Sequence, residues 1–295
     1  MPSKVQTIRG HEAIELAAEV SGNAAGLPVL LAHGSGQTRR AWKRVTGALT
    51  SSGFRVIALD LRGHGDSAWS EFGSYDLRDF ASDLVAIATQ LECKPAVVGA
   101  SLGGLAGMIA EGELAAGSFA SLTLVDIAPR METSGVMRVM GFMEKHIDRG
   151  FASPEEAAET IASYMPHRKK RGAGGSLKHY LRQKEDGRFY WHWDPKFIRN
   201  IMNEQRLDVE NQERQFDALS RATANLSLPL HLVRGGSSDL VSEDSVAHLR
   251  ELVPHAEYTD IAGATHMVVG DSNDAFSVAI VDFLKRHHGM EAKAT

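Results

Sequence analysis

Apolar residues in this chain recur with two different periods, and the change of period predicts the elements. Short apolar runs at 28–32, 55–59, 95–98, 122–125 and 230–233 end in clusters of polar residues and glycine and read as strands. Two earlier stretches, about 5–9 and 14–20, predict a hairpin at a sheet edge, and 257–261 predicts a last short strand. Helical spacing separates them. Over 75–91, Phe80, Leu84, Ile87 and Leu91 repeat at intervals of four, three and four, which lines one helix face. Further helices are predicted over 105–111, 212–221 and 273–287. Strands alternating with helices imply a mostly parallel sheet with helices on both faces.

The alternation breaks after Pro129. From 131 to 207 the composition turns to methionine, charge and aromatics, so the expected organisation is a core of 1–130 and 208–295 with a helical insertion at 131–207. Ser153-Pro154-Glu155-Glu156 is a helix start, with serine as N-cap and proline at the first position. Met137, Met140 and Met143 recur every three residues. They read either as packing or as a deformable apolar wall for a substrate. Trp191, in the most aromatic stretch (189–195), either faces a pocket or serves as a buried strut.

The candidate chemistry begins at Gly99-Ala100-Ser101-Leu102-Gly103, a G-x-S-x-G pattern between a predicted strand and a predicted helix. Such a junction forces a sharp turn that lifts the serine hydroxyl above the sheet, with the Leu102 N–H aimed where an oxyanion forms. A serine needs a base, and the base needs a group to hold its tautomer. In the chain order this pattern demands, Asp239 follows the strand at 230–233, and His266 follows the last strand. Asp126 is the rival acid; its structural reading is a buried carboxylate paired with backbone or with Arg130.

Upstream, the strand at 28–32 runs into His33-Gly34-Ser35-Gly36, and the Ser35 N–H is the second expected oxyanion donor. His33 reads as a structural hydrogen-bonding residue. Trp42 is expected to pack the next helix onto the sheet, with its edge a candidate pocket surface, and Met267 beside the base is another. Asp60, Arg62, His64 and Asp66 read as scaffold; a metal site there is disfavoured because Arg62 would repel a cation.

Taken together, His33-Gly34-Ser35-Gly36, Trp42, Asp60-x-Arg62-Gly63-His64-Gly65-x-Ser67, Gly99-x-Ser101-x-Gly103-Gly104, Asp239 and His266 resemble the α/β-hydrolase superfamily over nearly the whole chain apart from the middle. The resemblance implies an α/β-hydrolase fold, with a mostly parallel eight-stranded sheet and a helical cap inserted over the nucleophile. Members similar to epoxide hydrolases and haloalkane dehalogenases carry aspartate where this chain has Ser101. The loop at 33–36 resembles that of carbon–carbon bond hydrolases acting on ring-cleavage diketones. The overall pattern is also similar to small esterases, enol-lactonases and perhydrolase-like haloperoxidases. The carbon–carbon hydrolases usually continue with proline and glycine after Gly36, whereas Gln37-Thr38-Arg39-Arg40 follows here. Ester or lactone hydrolysis is therefore the expected reaction. Carbon–carbon cleavage, perhydrolysis and a non-catalytic ligand-binding role are the alternatives.

Bulk properties narrow the partners. The chain has 295 residues, 43% hydrophobic and 23% charged, with a formal net charge of −5. That balance lacks the basic footprint of a nucleic-acid binder. The basic cluster Arg168-Lys169-Lys170-Arg171 beside Gly172 reads as a solvated loop. No apolar run is long enough to span a membrane, and no secretory leader is apparent, so a cytoplasmic protein is expected. The single Cys93 excludes an intrachain disulfide framework. No zinc spacing and no dinucleotide fingerprint occur, which implies no metal and no cofactor. A small-molecule substrate is the expected partner, and a homo-oligomer stays open.

Overall fold

Strand β1 (Lys4–Arg9) pairs antiparallel with β2 (Glu15–Gly22), the edge hairpin expected from the pattern. β2 continues antiparallel against β4 (Arg55–Leu59). From there β3 (Pro28–Ala32), β5 (Ala96–Ala100), β6 (Ser121–Val125), β9 (Leu230–Gly235) and β10 (Glu257–Ile261) run parallel. The resulting eight-stranded sheet has the order β1-β2-β4-β3-β5-β6-β9-β10. These elements belong to a computed structural model that describes residues 4–164, 177–203, 209–263 and 274–289.

Alternation along each central strand sends side chains to two cores, as a doubly covered sheet requires. Val29, Leu31, Val56, Ala58, Val98 and Ala100 pack with α1 (Lys43–Ser51) and α9 (Asp274–His288). Leu30, Ala32, Ile57, Leu59 and Val97 face the opposite layer. That layer is built from α2 (Leu77–Ala88), α3 (Leu102–Ile109), α7 (Val209–Ala224) and α8 (Glu243–Leu252). A reciprocal Asp76–Asp79 capping box starts α2 at Leu77, and the helix ends at Ala88, before the last member of the apolar repeat, Leu91.

Between β6 and α7 the chain leaves the sheet and forms α4 (Thr133–Glu144), α5 (Pro154–Tyr164) and α6 (Pro195–Asn203). Ser153 caps α5 as expected, its hydroxyl accepting the Glu156 N–H at 3.3 Å. One feature differs from the all-helical expectation: β7 (Leu181–Gln183) and β8 (Phe189–Trp191) form an antiparallel hairpin. Its turn is closed by Lys184 N–H to the Arg188 carbonyl at 3.0 Å, with Gly187 at φ +78°. Strands of three residues are too short for alternation to register along the sequence. The basic cluster at 168–171 lies outside the described residues.

The scaffold reading of the loop after β4 is what the structure shows. Arg62 forks onto Asp83 with bonds of 2.7 and 2.8 Å. Asp60 accepts the Arg39 N–H at 2.6 Å and pairs with the Arg39 guanidinium. Histidines are buried around this loop and in β9. Burial pushes His33 and His231 down to about 4, His64 to about 3, and His192 well below the ordinary histidine range.

A ring that stays neutral in the fold but takes a proton on unfolding contributes stability above its unfolded pKa, near 6.5. That stability drains away as pH falls towards the folded value. Thermal denaturation is therefore expected to move to lower temperature between pH 6.5 and about 4. Each proton taken up should steepen the slope by about 1.4 kcal/mol per pH unit. A Tm that stays flat across that window would contradict the burial argument.

Candidate active site

Register brings the two site loops together. β3 and β5 are adjacent and parallel, with Ala32 opposite Gly99, so both chains leave the same sheet edge within two residues of each other. β4 flanks β3 on the other side, which makes this edge the point where strand order reverses and where open α/β sheets place their ligands. On leaving β5 the chain turns sharply at Ser101, with φ +45° and ψ −114°, a conformation costly for any residue with a Cβ. The turn is tight enough that a Cβ on Gly99 would overlap the Gly103 carbonyl, and one on Gly103 would overlap that of Ala32. Gly34 lies directly against the serine: a Cβ there would sit 3.2 Å from the Ser101 Cβ.

Backbone donors around the turn can be accounted for one by one. Ser101 N–H donates to the Val125 carbonyl at 3.2 Å, Gly103 N–H to His33 at 3.2 Å, and Gly104 N–H to Ser101 at 2.9 Å. Leu102 opens α3, so its N–H has no acceptor within the helix. In the facing loop, Gly34 N–H is taken by Gln37 Oε1 at 3.2 Å, and Gln37 N–H by the Gly34 carbonyl at 3.1 Å. His33 is structural: its Nε2 accepts the Leu61 N–H at 3.0 Å, which leaves Nδ1–H to donate to the Gly34 carbonyl at 2.8 Å.

The two candidate acids occupy different surroundings. Asp239 sits on the loop after β9, partly exposed, and forms an ion pair with Arg138 of α4. α4 lies close over that loop, since a Cβ on Gly135 would overlap the Asp239 carbonyl. Asp126 is buried at the end of β6 with φ +48°. It accepts the Gly235 N–H at 2.8 Å and the Ser238 hydroxyl at 2.7 Å. Ser238 Oγ in turn accepts the Leu240 and Val241 N–H groups at 3.1 and 3.0 Å. The loop that carries Asp239 is thus folded around Ser238 and hung from Asp126. Arg130 pairs with Glu213 and Asp217. Neither Ser238 nor Arg138 is marked by any motif in the sequence. The expected base, His266, and its neighbour Met267 lie outside the described residues.

Several pocket candidates fall elsewhere. Trp42 is completely buried between the sheet, α1 and α9, stacked on Phe276 with centroids 6.4 Å apart, so it packs the core. Trp191 stacks on Trp193 at 4.6 Å and donates its indole N–H to the Lys145 carbonyl at 2.9 Å, as a strut. The methionines do not form one wall: Met137 is 40% exposed, Met140 8% and Met143 1%. A strict spacing of three drifts by about 60° per step around a helix, so the first and last members point apart. Met143 and Trp193 meet the loop after β3; each lies 3.3 Å from where a Gly36 Cβ would be. No group of three or more His, Cys, Asp or Glu among the described residues could hold a metal ion. No described helix is long and apolar enough to cross a membrane.

Comparison with known proteins agrees with this fold. The sequence profile of the alpha/beta hydrolase family matches residues 29–279. The chain belongs to that family, and it is a hydrolase. Esterase Rv0045c of Mycobacterium tuberculosis is 30% identical over 237 residues, covering 77% of this chain and 72% of its own length. The 3-hydroxybutyrate-oligomer hydrolase of Cupriavidus necator is 27% identical, covering 81% of this chain and 82% of its own. An alpha/beta hydrolase structure from Novosphingobium aromaticivorans superposes with a TM-score of 0.76 at 23% identity, covering 96% of this chain and 98% of that one.

Proposed function

We propose that this hydrolase cleaves a carboxylic ester or lactone of a small, largely apolar substrate through an acyl-enzyme on Ser101. The observation that carries the reading is the strained Ser101 turn with the Gly34 loop packed against it, so close that a Cβ on Gly34 would sit 3.2 Å from the Ser101 Cβ. It sets the residue that carries the hydroxyl beside two stretches of backbone that can donate to an oxyanion. The names of the relatives, an esterase and an oligomer hydrolase, favour an ester bond.

In this reading His266 takes the Ser101 proton as Oγ attacks the carbonyl carbon, and the carbonyl pair moves onto oxygen. The N–H groups of Leu102 and Ser35 hold that oxyanion, a contribution of about 3 kcal/mol for a donor of this kind. Asp239 keeps the imidazole in the tautomer that accepts from Ser101. His266 then protonates the leaving alcohol, and water repeats the sequence to release the acid. Residues 131–207 act as a cap. The reading draws support from Met143 and Trp193 against Gly36 and from Arg138 against Asp239, by which residues of this stretch touch both loops.

The test is fluorophosphonate labelling with mass-spectrometric mapping, run beside a panel of p-nitrophenyl esters, lactones and ring-cleavage diketones. Label on Ser101 with fastest turnover of esters or lactones is expected. Fastest turnover of the diketones would move the reaction to carbon–carbon cleavage. Absence of label, or label elsewhere, would overturn the acyl-enzyme.

A further inference from the structure

His192 has a role that no motif assigns. It follows β8 in the insertion, is 1% exposed, and reaches into the core between two glycine loops. Its protonation pattern is settled by its partners. Gly65 N–H, which can only donate, points to Nδ1 at 2.8 Å. Nε2 therefore carries the hydrogen of the neutral ring and donates to the Gly36 carbonyl at 3.2 Å. The neighbouring residues brace the contact. Trp193 packs on Gly36, and Asp194 N–H donates to the Gly63 carbonyl at 2.8 Å.

Peptide planarity turns this bond into an orientation of the expected oxyanion donor. The Gly36 carbonyl and the Gln37 N–H belong to one rigid peptide plane and point in opposite directions. Holding the carbonyl with His192 aims the Gln37 N–H, which donates to the Gly34 carbonyl at 3.1 Å. That carbonyl shares its own plane with the Ser35 N–H, and fixing one fixes the other. His33 Nδ1–H, 2.8 Å from the same Gly34 oxygen, supports the plane from the core side. We infer that His192 is a positioning residue through which the cap orients the Ser35 N–H towards the Ser101 oxyanion. The inference rests on the acyl-enzyme reading above.

Two conservative variants separate this role from general packing. In H192N the amide oxygen can still accept from Gly65, but nothing reaches Gly36. In H192Q the longer amide can still donate to Gly36 and gives up the Gly65 bond. If His192 orients the hole, kcat for esters should fall about 30-fold in H192N, a part of the loss expected when one oxyanion donor is removed. KM should stay within about twofold, because the ground-state carbonyl leans little on the hole. Inhibition by a trifluoromethyl ketone, which forms a tetrahedral adduct, should weaken by the same factor as kcat. H192Q should lose about threefold or less. Amide exchange over 33–40 should speed up in H192N and stay near wild type in H192Q.

Equal losses in both variants, or a loss confined to KM, would reduce His192 to a packing residue and overturn the inference. Were the wild-type chain to turn over no ester or lactone, the acyl-enzyme reading would fail. The exchange measurement would still decide whether His192 orders the loop.

Discussion

Replacing Ser101 by alanine is expected to lower turnover of p-nitrophenyl acyl esters by about 10⁶-fold, which is the scale of losing a triad nucleophile. The fold should barely register the change, because Ser101 contributes backbone bonds that alanine retains. A glycine at the same position makes the sharper comparison. With φ +45° and ψ −114° the serine occupies a region in which a Cβ is strained by about 1–3 kcal/mol. S101G should therefore be as inactive as S101A, yet unfold at a higher temperature. A structural serine would give the opposite pair, with activity retained in S101A and no stability gained in S101G. Thermal denaturation of both variants, measured beside their initial rates, checks the two halves together.

The second large effect separates the acids. D239N is expected to reduce kcat by about 10³–10⁴-fold, because an amide cannot hold the imidazole in the tautomer that accepts the serine proton. D126N should act mainly on stability, lowering it by about 1–3 kcal/mol. The reason is local: Asp126 accepts the Gly235 N–H and the Ser238 hydroxyl in a buried site, and an amide oxygen can keep only part of that arrangement. Any kinetic loss in D126N should be the smaller of the two, transmitted through the Ser238-centred loop that carries Asp239. A larger kinetic loss in D126N than in D239N would transfer the orienting role to the buried carboxylate. Tm and kcat measured on the same preparations keep the two effects apart.

The elements that were legible in the chain are those whose signal is local. The strand at Val29 to Ala32 and the one at Val97 to Gly99 are continuous apolar runs because helices cover both faces of the sheet. The Ser101 turn is legible because its glycines are demanded by contacts within a few residues of it, Gly99 against Gly103. The β7–β8 hairpin was not, since each strand is too short to show alternation. Trp42 shows the other limit. A large aromatic beside a glycine loop has the same local appearance whether it lines a cavity or fills the layer under α1 and α9. Arg138, Ser238 and His192 belong to no pattern either, because their partners lie about 100 residues or more away in the chain or depend on a loop conformation.

By itself the amino-acid sequence determined the order along the chain of the strands in the main sheet and the serine at a strand-to-helix turn. These follow from side-chain periodicity and from steric demands between near neighbours, which the linear chain carries directly. Tertiary structure alone decided which side chains meet: Gly34 against Ser101, Ser238 beneath the Asp239 loop, His192 on the Gly36 carbonyl. Those contacts depend on strand register and on where the insertion lands. Both are set by the packing of the whole molecule, which no stretch of the chain encodes locally.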